Sequence, residues 1–222
     1  GANCLGSELE YVVDQTTLQY VRGLGEKLGD EARKDRGRQY HIMNVPDDTD
    51  NEHHFLGKRF VQGEEFTVRS RCNPRDKAEI LRRVEDATRQ AEWVIVATHC
   101  HEYDSDPEPP PAFLQDFARS CIDAGATCFV GHGPPYLKAV EIYKERPIFY
   151  SLGNFIFQNE SVNWVPSEGY RRFGLDYDQT PGDYFDARSA SGKHGFPADP
   201  VFWQSVIAVC NYESGDLKDV LL

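Results

Sequence analysis

Two histidines follow apolar segments that have the character of buried strands. His99 comes directly after the run 93–98, and the run 127–130 leads through Gly131 into His132. Ligands bind open α/β sheets at the carboxyl ends of the strands, and adjacent parallel strands lie about 4.8 Å apart. If the two runs are neighbours, His99 and His132 therefore face one site. Neutral imidazole is a common ligand of Zn, Mn, Fe and Ni, so the pattern predicts a divalent metal site, with simple hydrogen bonding at the strand ends as the alternative.

The segments around these histidines alternate between helix and strand. Apolar residues at spacings of three and four predict a helix over residues 14–29, which Gly29 ends. Asn73 and Pro74 form a cap with proline at the first helical position, and a third helix spans residues 113–122. Helix followed by a continuous apolar run indicates βα units and a partly parallel sheet. The predicted fold class is α/β, with residues 1–222 as a single α/β domain.

The rest of the chain carries weaker signals. Residues 30–65 are polar and predict a long surface excursion with one short strand near Tyr40–Met43, so the adjacent His53 and His54 are interpreted as solvated. Residues 160–200 lose all periodicity and predict a long loop or lid. A hairpin turning at 144–146 and two closing strands at 204–209 and 219–222 complete the expected elements.

Composition excludes several classes of protein. The 222 residues are 40% hydrophobic and 27% charged, which is typical of a globular protein, and no apolar run approaches the roughly 20 residues needed to span a bilayer. The 24 Lys and Arg against 36 Asp and Glu give a net charge of −12, which disfavours binding to nucleic acid. The six cysteines form no CxxC pair, and the pattern predicts reduced thiols.

Three segments in order across residues 93–158 resemble the bacterial capsule-synthesis CapA family of poly-γ-glutamate biosynthesis. The first is Val94-Ile95-Val96-Ala97-Thr98-His99 with Glu102-Tyr103, and the second runs from Asp123 through Gly131-His132-Gly133-Pro134. The third joins Glu141-Ile142-Tyr143-Lys144 to Pro147-Ile148-Phe149-Tyr150-Ser151-Leu152-Gly153-Asn154-Phe155-Ile156-Phe157. The resemblance therefore covers the middle of this chain and matches the C-terminal half of the family.

The resemblance implies a calcineurin-like metallophosphoesterase fold, a β-sandwich flanked by helices, with a dinuclear metal site. It places His99 as the lone ligand at a strand end and His132 as the first ligand of the late motif, both on the same metal. Mn, Fe, Zn or Ca is the implied cation. The same resemblance places Asn154 and Tyr150 in the segment that lines the site, as weaker substrate contacts beside their turn and core roles.

This sequence departs from the family pattern in two ways. The late motif usually ends in a second histidine, and that position is Pro135 here, which offers no side-chain ligand. The family's early ligands also have no counterpart before residue 93, where Asn51-Glu52-His53-His54 is the nearest combination. We therefore expect an N-terminal half or a second chain to complete the metal site.

Further residues are expected to assist the chemistry. His101 stands where the family more often has glycine, and it is interpreted as a general acid or base that Glu102 orients, with a solvated loop histidine as the alternative. His194 lies in the predicted lid and is a weaker candidate for substrate contact.

The functional expectation is a metal-dependent, hydrolase-type enzyme linked to capsule or poly-γ-glutamate biosynthesis, acting on a small-molecule or peptide substrate. One alternative keeps the metal and changes the reaction to epimerisation of a peptide residue. Another is a scaffold or partner half whose metal site is incomplete. The sequence leaves localisation open between the cytoplasm and the cell envelope, with no signal peptide in these residues.

Overall fold

The structure is a computed structural model that describes residues 3–42 and 45–222. The chain forms two compact units, of which the first comprises residues 1–94 and 102–126, and the second comprises residues 95–101 and 127–222. The fold class is α/β, as the sequence predicts.

Within its described residues, the first unit contains a four-stranded sheet and four helices. Its strand order is β2-β3-β1-β4, in which β1 runs parallel to β3 and antiparallel to β4. The elements are β1 (Ser7–Val13), α1 (Gln15–Lys27), α2 (Asp30–Gln39), β2 (Glu52–Phe55), β3 (Lys58–Gln62), β4 (Thr67–Cys72), α3 (Pro74–Thr88) and α4 (Ala112–Asp123).

Helix α4 supplies much of the core of this unit. Phe113, Phe117 and Cys121 recur on its buried face at helical spacing. Burial raises the pKa of the Cys121 thiol to about 12, so this cysteine behaves as a small apolar side chain. The predicted cap of α3 is confirmed, because Asn73 Oδ1 accepts from the backbone amides of Arg75 and Asp76.

The prediction of a loop over residues 30–65 is wrong. Helix α2 and strands β2 and β3 lie there, and the helix has almost no apolar face because its buried residues are Asp30, Lys34 and Gly37. Ion pairs instead hold it, including Lys34 to Glu31 at 2.7 Å. Hydrophobic periodicity carries no signal for such a helix. The strand expected near Tyr40–Met43 is not formed at residues 40–42, and Met43 lies outside the described residues.

The second unit holds the two strands that end in histidine. Its larger sheet has the order β5-β6-β8-β7, with β6 parallel to both β5 and β8, and a separate hairpin pairs β9 with β10. The elements are β5 (Ile95–His99), β6 (Cys128–His132), β7 (Val140–Tyr143), β8 (Arg146–Phe149), α5 (Ser167–Arg172), α6 (Pro181–Arg188), a 3₁₀ turn (Pro200–Trp203), β9 (Val209–Glu213) and β10 (Asp216–Leu221).

Strand β5 differs from the expected strand buried on both faces. It is an edge strand of its sheet, and Ile95 is 66% exposed. Strand β6 lies inside the same sheet and buries Phe129 completely. An apolar run alone cannot tell an edge strand from a central one, because that difference is set by pairing.

Residues 160–200 contain two short helices where the sequence predicts a long loop. Helix α6 begins with Pro181 and has a capping box, in which Thr180 and Asp183 each hydrogen-bond the backbone amide of the other. The predicted hairpin around residues 144–146 is confirmed as β7 and β8. The first closing strand was predicted at residues 204–209, and the structure places it later in the chain, as β9.

All six cysteines are free thiols. Over residues 3–42 and 45–222, no helix combines the length and the apolar character needed to cross a membrane.

Candidate functional site

The two predicted ligands lie side by side at the end of the sheet. Strands β5 and β6 run parallel, and His99 pairs in register with His132. Paired residues of neighbouring strands have backbones about 4.8 Å apart, so both imidazoles start from adjacent positions at the carboxyl edge. Both side chains belong to exposed residues. The structure therefore brings together the histidines that the strand-end argument selects.

The two glycines that flank His132 allow this close packing. A Cβ on Gly131 would lie 2.4 Å from the carbonyl oxygen of Tyr150, and a Cβ on Gly133 would lie 2.3 Å from that of Cys100. Gly133 also has a φ of +120°, a backbone conformation that residues with a Cβ atom rarely adopt. The Cys100 amide donates to the carbonyl of His132 at 2.9 Å. The Gly-His-Gly sequence thus fixes the loop after β6 against the loop after β5.

His101 turns back towards His99. Their Nε2 atoms lie 3.1 Å apart, and the two rings meet edge to face with centroids 5.0 Å apart. At this distance the two nitrogens can share one proton as an N–H···N hydrogen bond. The sequence predicts that His101 lies at the same site as His99, but the spacing of the two residues does not reveal that their side chains are in direct contact.

The donors in this region suit a divalent cation. Zn–N bonds of about 2.0–2.1 Å place two tetrahedral ligands about 3.3 Å apart, close to the separation of the His99 and His101 nitrogens. His132 stands at the paired strand end, but among the described residues its ring nitrogens do not lie within 4.8 Å of both other imidazoles, so the three histidines do not form a preassembled three-ligand site. Exposed imidazoles on a rigid sheet edge are a donor set that zinc, manganese and iron accept.

The other predicted site residues have defined surroundings. Asn154 Nδ2 donates to the carbonyls of Pro135 at 3.2 Å and Phe202 at 3.4 Å. Tyr150 is 3% exposed, and its hydroxyl donates to Glu141 at 2.8 Å. Glu102 directly follows His101 and is exposed. Asn154 therefore connects the segment after His132 to the 3₁₀ turn, while Tyr150 packs in the core.

A second group of potential ligands lies in the first unit. One donor atom each from Glu31, Asp48 and His53 lies within 4.8 Å of the others, and among the described residues this is the group of three that meets that spacing. The expectation that His53 is solvated is wrong, because strand β2 buries it to 4% exposure. Its Nδ1 lies 2.9 Å from Asp48, and its buried Nε2 has no hydrogen-bond partner within the described residues.

A lysine already supplies positive charge to that group. Lys34 Nζ lies 2.7 Å from Glu31 and 3.2 Å from Asp48, and its side chain is 4% exposed. Burial raises the pKa of Asp48, but the amide and ring of His54, together with Lys34, outweigh burial and hold the pKa at about 2. We assign this cluster to an ion-pair network that ties α2 to β2, because a divalent cation would compete there with a buried ammonium.

A cavity of about 770 Å³ lies in the second unit. Helix α6 and the segment that follows it line the cavity, together with Pro135, Phe202 and His194. Sequence reasoning singled out His194 but missed the cavity. The short helix that forms one wall has no sustained apolar periodicity, and its capping box was the local signal available for it.

The α/β fold with histidines at the carboxyl ends of adjacent parallel strands is consistent with the metallophosphoesterase-like class, to which the family match assigns the chain. Within that class, the chain belongs to the family described as bacterial capsule synthesis protein PGA_cap, which matches residues 15–159. This match confirms the resemblance seen in the sequence.

Individual relatives agree with the family. The chain is 33% identical to the uncharacterized protein y4sH of Sinorhizobium fredii, over an alignment that covers 100% of this chain and 47% of that protein. It is 38% identical to the PGA biosynthesis protein CapA of Bacillus subtilis, over 46% of this chain and 27% of the relative. It is 47% identical to the capsule biosynthesis protein CapA of Bacillus anthracis, over 30% of this chain and 16% of the relative. The chain thus spans about half the length of the y4sH protein.

Proposed function

We propose that this chain carries the strand-end histidines of a metal-dependent, hydrolase-type enzyme that serves the assembly or processing of a capsule-type polymer. The observation that carries the proposal is the register pairing of His99 with His132 at the carboxyl edge of a parallel strand pair. The names of the two CapA relatives support the link to capsule and poly-γ-glutamate biosynthesis.

In this proposal His99 and His132 hold a divalent cation such as Mn, Fe, Zn or Ca. The cation would supply Lewis acidity to a phosphoryl or acyl oxygen and would acidify coordinated water. The backbone hydrogen bond from Cys100 to His132 keeps the two ligand loops in place. Gly133 lets those two loops approach without a steric clash, and Gly131 allows a similarly close approach to the Tyr150 carbonyl.

His101 is the proposed proton-transfer group. When Nε2 of His101 is not hydrogen-bonded to His99, it can accept a proton from the attacking water and donate it to the leaving group. Glu102 is the carboxylate that the sequence places next to this histidine. Asn154 and Tyr150 act by positioning, Asn154 through the carbonyls that it binds and Tyr150 through its bond to Glu141.

We further propose that polypeptide outside residues 1–222 supplies additional ligands. Two observations support this: Pro135 stands where the family places a second histidine, and the chain covers 47% of the y4sH protein. Two or three imidazoles alone leave coordination positions open. The metal in this chain should therefore be retained more weakly than in a longer polypeptide.

The 3.1 Å separation of the His99 and His101 Nε2 atoms places a candidate base beside a proposed metal ligand, which supports a second reaction. A base beside a cation could remove the α-proton of a peptide residue, and a proton delivered from solvent to the opposite face of the resulting enolate would epimerise that residue. Peptide incubated with the loaded protein in D₂O would then gain deuterium at Cα. Phosphate release without deuterium uptake would leave the hydrolase as the function.

The first experiment measures the metal content of the purified chain by inductively coupled plasma mass spectrometry after incubation with Mn, Fe, Zn or Ca. We expect close to one ion per chain in the native protein and a background level in the double variant His99→Ala, His132→Ala. The variant His41→Asn is the matched control, because His41 is an exposed histidine of the first unit whose φ of +52° asparagine tolerates. Equal metal content in the native protein and the double variant would reject the proposed site.

A further inference from the structure

The cavity of the second unit has the dimensions of a ligand site. Its volume of about 770 Å³ falls within the range of roughly 300–1,000 Å³ that is usual for small-molecule pockets. Both apolar and polar side chains line the cavity, and the apolar ones include Pro135, Val162, Phe185, Phe196, Pro197 and Phe202.

The aromatic wall of the cavity, formed by Phe196 and Phe202, is held in place by contacts with each other and with neighbouring residues. Phe196 stacks on Phe157 with ring centroids 3.9 Å apart, and it lies 4.6 Å from Phe202. Trp203 Nε1 donates to the carbonyl of Phe196 at 2.6 Å. A ligand therefore meets rings that are already packed and oriented, which lowers the entropy cost of binding.

The cavity adjoins the loop of a proposed metal ligand. Pro135 lines the cavity and lies three residues after His132. Asn154 bridges the carbonyls of Pro135 and Phe202, so one side chain joins this loop to the aromatic wall. A group bound in the cavity would thus be held by the same loop that carries His132.

The charges in the cavity disfavour a polyanion. Glu160 and Asp186 line it alongside a single guanidinium, that of Arg188. A glutamate-type side chain would lose hydration on entering and would face two like charges, whereas an uncharged ring or branched alkyl group would lose little and would gain apolar contact.

We propose that this cavity binds an apolar side chain, aromatic or branched aliphatic, of a peptide-type substrate. The backbone amides of such a ligand can meet the polar members of the lining, which include Asn159, Ser189 and His194. That the bound group is a substrate rests on the proposed function, and the residue that the cavity binds would then be other than the repeating glutamate of a poly-γ-glutamate chain. The binding of such a group by the cavity is independent of the proposed function.

The test is a ¹H–¹⁵N NMR titration of the full chain with two matched probes, N-acetyl-L-phenylalanine methylamide and N-acetyl-L-glutamate methylamide. The blocking variant is Gly182→Trp: Gly182 lines the cavity in the first turn of α6, and the nearest atom to its added Cβ would be Thr180 Oγ1 at 3.4 Å. The control is Gly23→Trp in α1, where an added Cβ meets nothing within 4 Å.

We expect the phenylalanine probe to bind the native chain and Gly23→Trp equally, and to bind Gly182→Trp at least about tenfold more weakly. The glutamate probe should bind at least about tenfold more weakly than the phenylalanine probe to the native chain. Absent or equal binding of the two probes, or binding that Gly182→Trp leaves unchanged, would overturn the inference.

The titration is run in EDTA and repeated with His132→Ala, so that it reports the cavity separately from the metal site. Binding that survives in both conditions supports the cavity whatever the metal measurement gives. Phenylalanine binding lost in His132→Ala while its fold is unchanged would contradict a cavity formed by the lining residues alone.

Discussion

At the scale of single residues, Asp48 is the carboxylate on which the ion network of the first unit depends. It accepts the backbone amide of His54 at 2.8 Å, and it lies 2.9 Å from His53 Nδ1 and 3.2 Å from Lys34. These contacts hold its pKa at about 2, below the ordinary 3.8, although burial acts in the opposite direction. The ionised form is therefore the one that the folded protein stabilises.

We predict that Asp48→Asn lowers the free energy of unfolding by about 2 kcal/mol at pH 6, the value that a pKa difference of this size implies. Because the folded pKa is lower than the unfolded one, the contribution is complete above the unfolded pKa and is lost as the pH falls towards 2. Urea denaturation followed by circular dichroism from pH 6 to pH 3 measures it. The exposed Asp178 provides the control Asp178→Asn, and a loss that stays constant across this pH range would contradict the assignment.

At the scale of elements, the turn that follows β6 places His132. Gly133 lies so close to the Cys100 carbonyl that an added Cβ would stand 2.3 Å from the oxygen. Gly174 also has a positive φ, at +69° compared with +120° for Gly133, but an added Cβ there meets nothing within 4 Å. Alanine at Gly174 therefore reports the cost of a left-handed backbone alone, whereas alanine at Gly133 adds a steric clash and a less accessible backbone conformation.

Gly133→Ala should destabilise the chain by roughly 3 kcal/mol, and Gly174→Ala by about 1–2 kcal/mol, since only the first adds a steric clash to the conformational strain. Gly133→Ala should also reduce the bound metal, because the clash separates the His99 and His132 loops. Urea midpoints and metal content together measure both effects. Equal destabilisation by the two variants would show that the loops tolerate the added methyl group.

Elements with an apolar face were predictable from sequence, and those held by charge were not. The buried positions Leu18 and Val21 revealed α1, and the cap at Asn73 revealed α3. Strand β1 was not predicted although it buries Val12 and Val13, because its apolar run is short and is preceded by Glu10, which is buried against Arg59 and Arg69. Partners of this kind come from distant parts of the chain, so a local pattern cannot reveal them.

The same distinction applies to the candidate site. His99 and His132 were predictable as neighbours because a parallel sheet aligns the carboxyl ends of its strands. The contact between His99 and His101 depends on the path of a loop, and the cavity depends on the packing of α6. Neither leaves a periodic trace in the sequence.

At the scale of the whole molecule, the sheet that carries the histidines ends in an exposed strand. Strand β5 lies at the edge of the order β5-β6-β8-β7, and its Ile95 is 66% exposed. An exposed apolar edge strand presents unpaired backbone groups to other chains, and natural proteins block such edges with charges, especially lysine. The strand sequence Ile95-Val96-Ala97-Thr98-His99 contains no lysine, arginine or carboxylate.

We predict that the isolated chain self-associates through this edge as its concentration rises, and that Ile95→Lys suppresses the association. Ile207→Lys is the matched control, because Ile207 is also 66% exposed but lies outside the strands of the described structure. Sedimentation velocity across a range of concentrations measures the effect. Equal suppression by both variants would assign the association to general hydrophobicity, since only pairing at the β5 edge distinguishes the two positions.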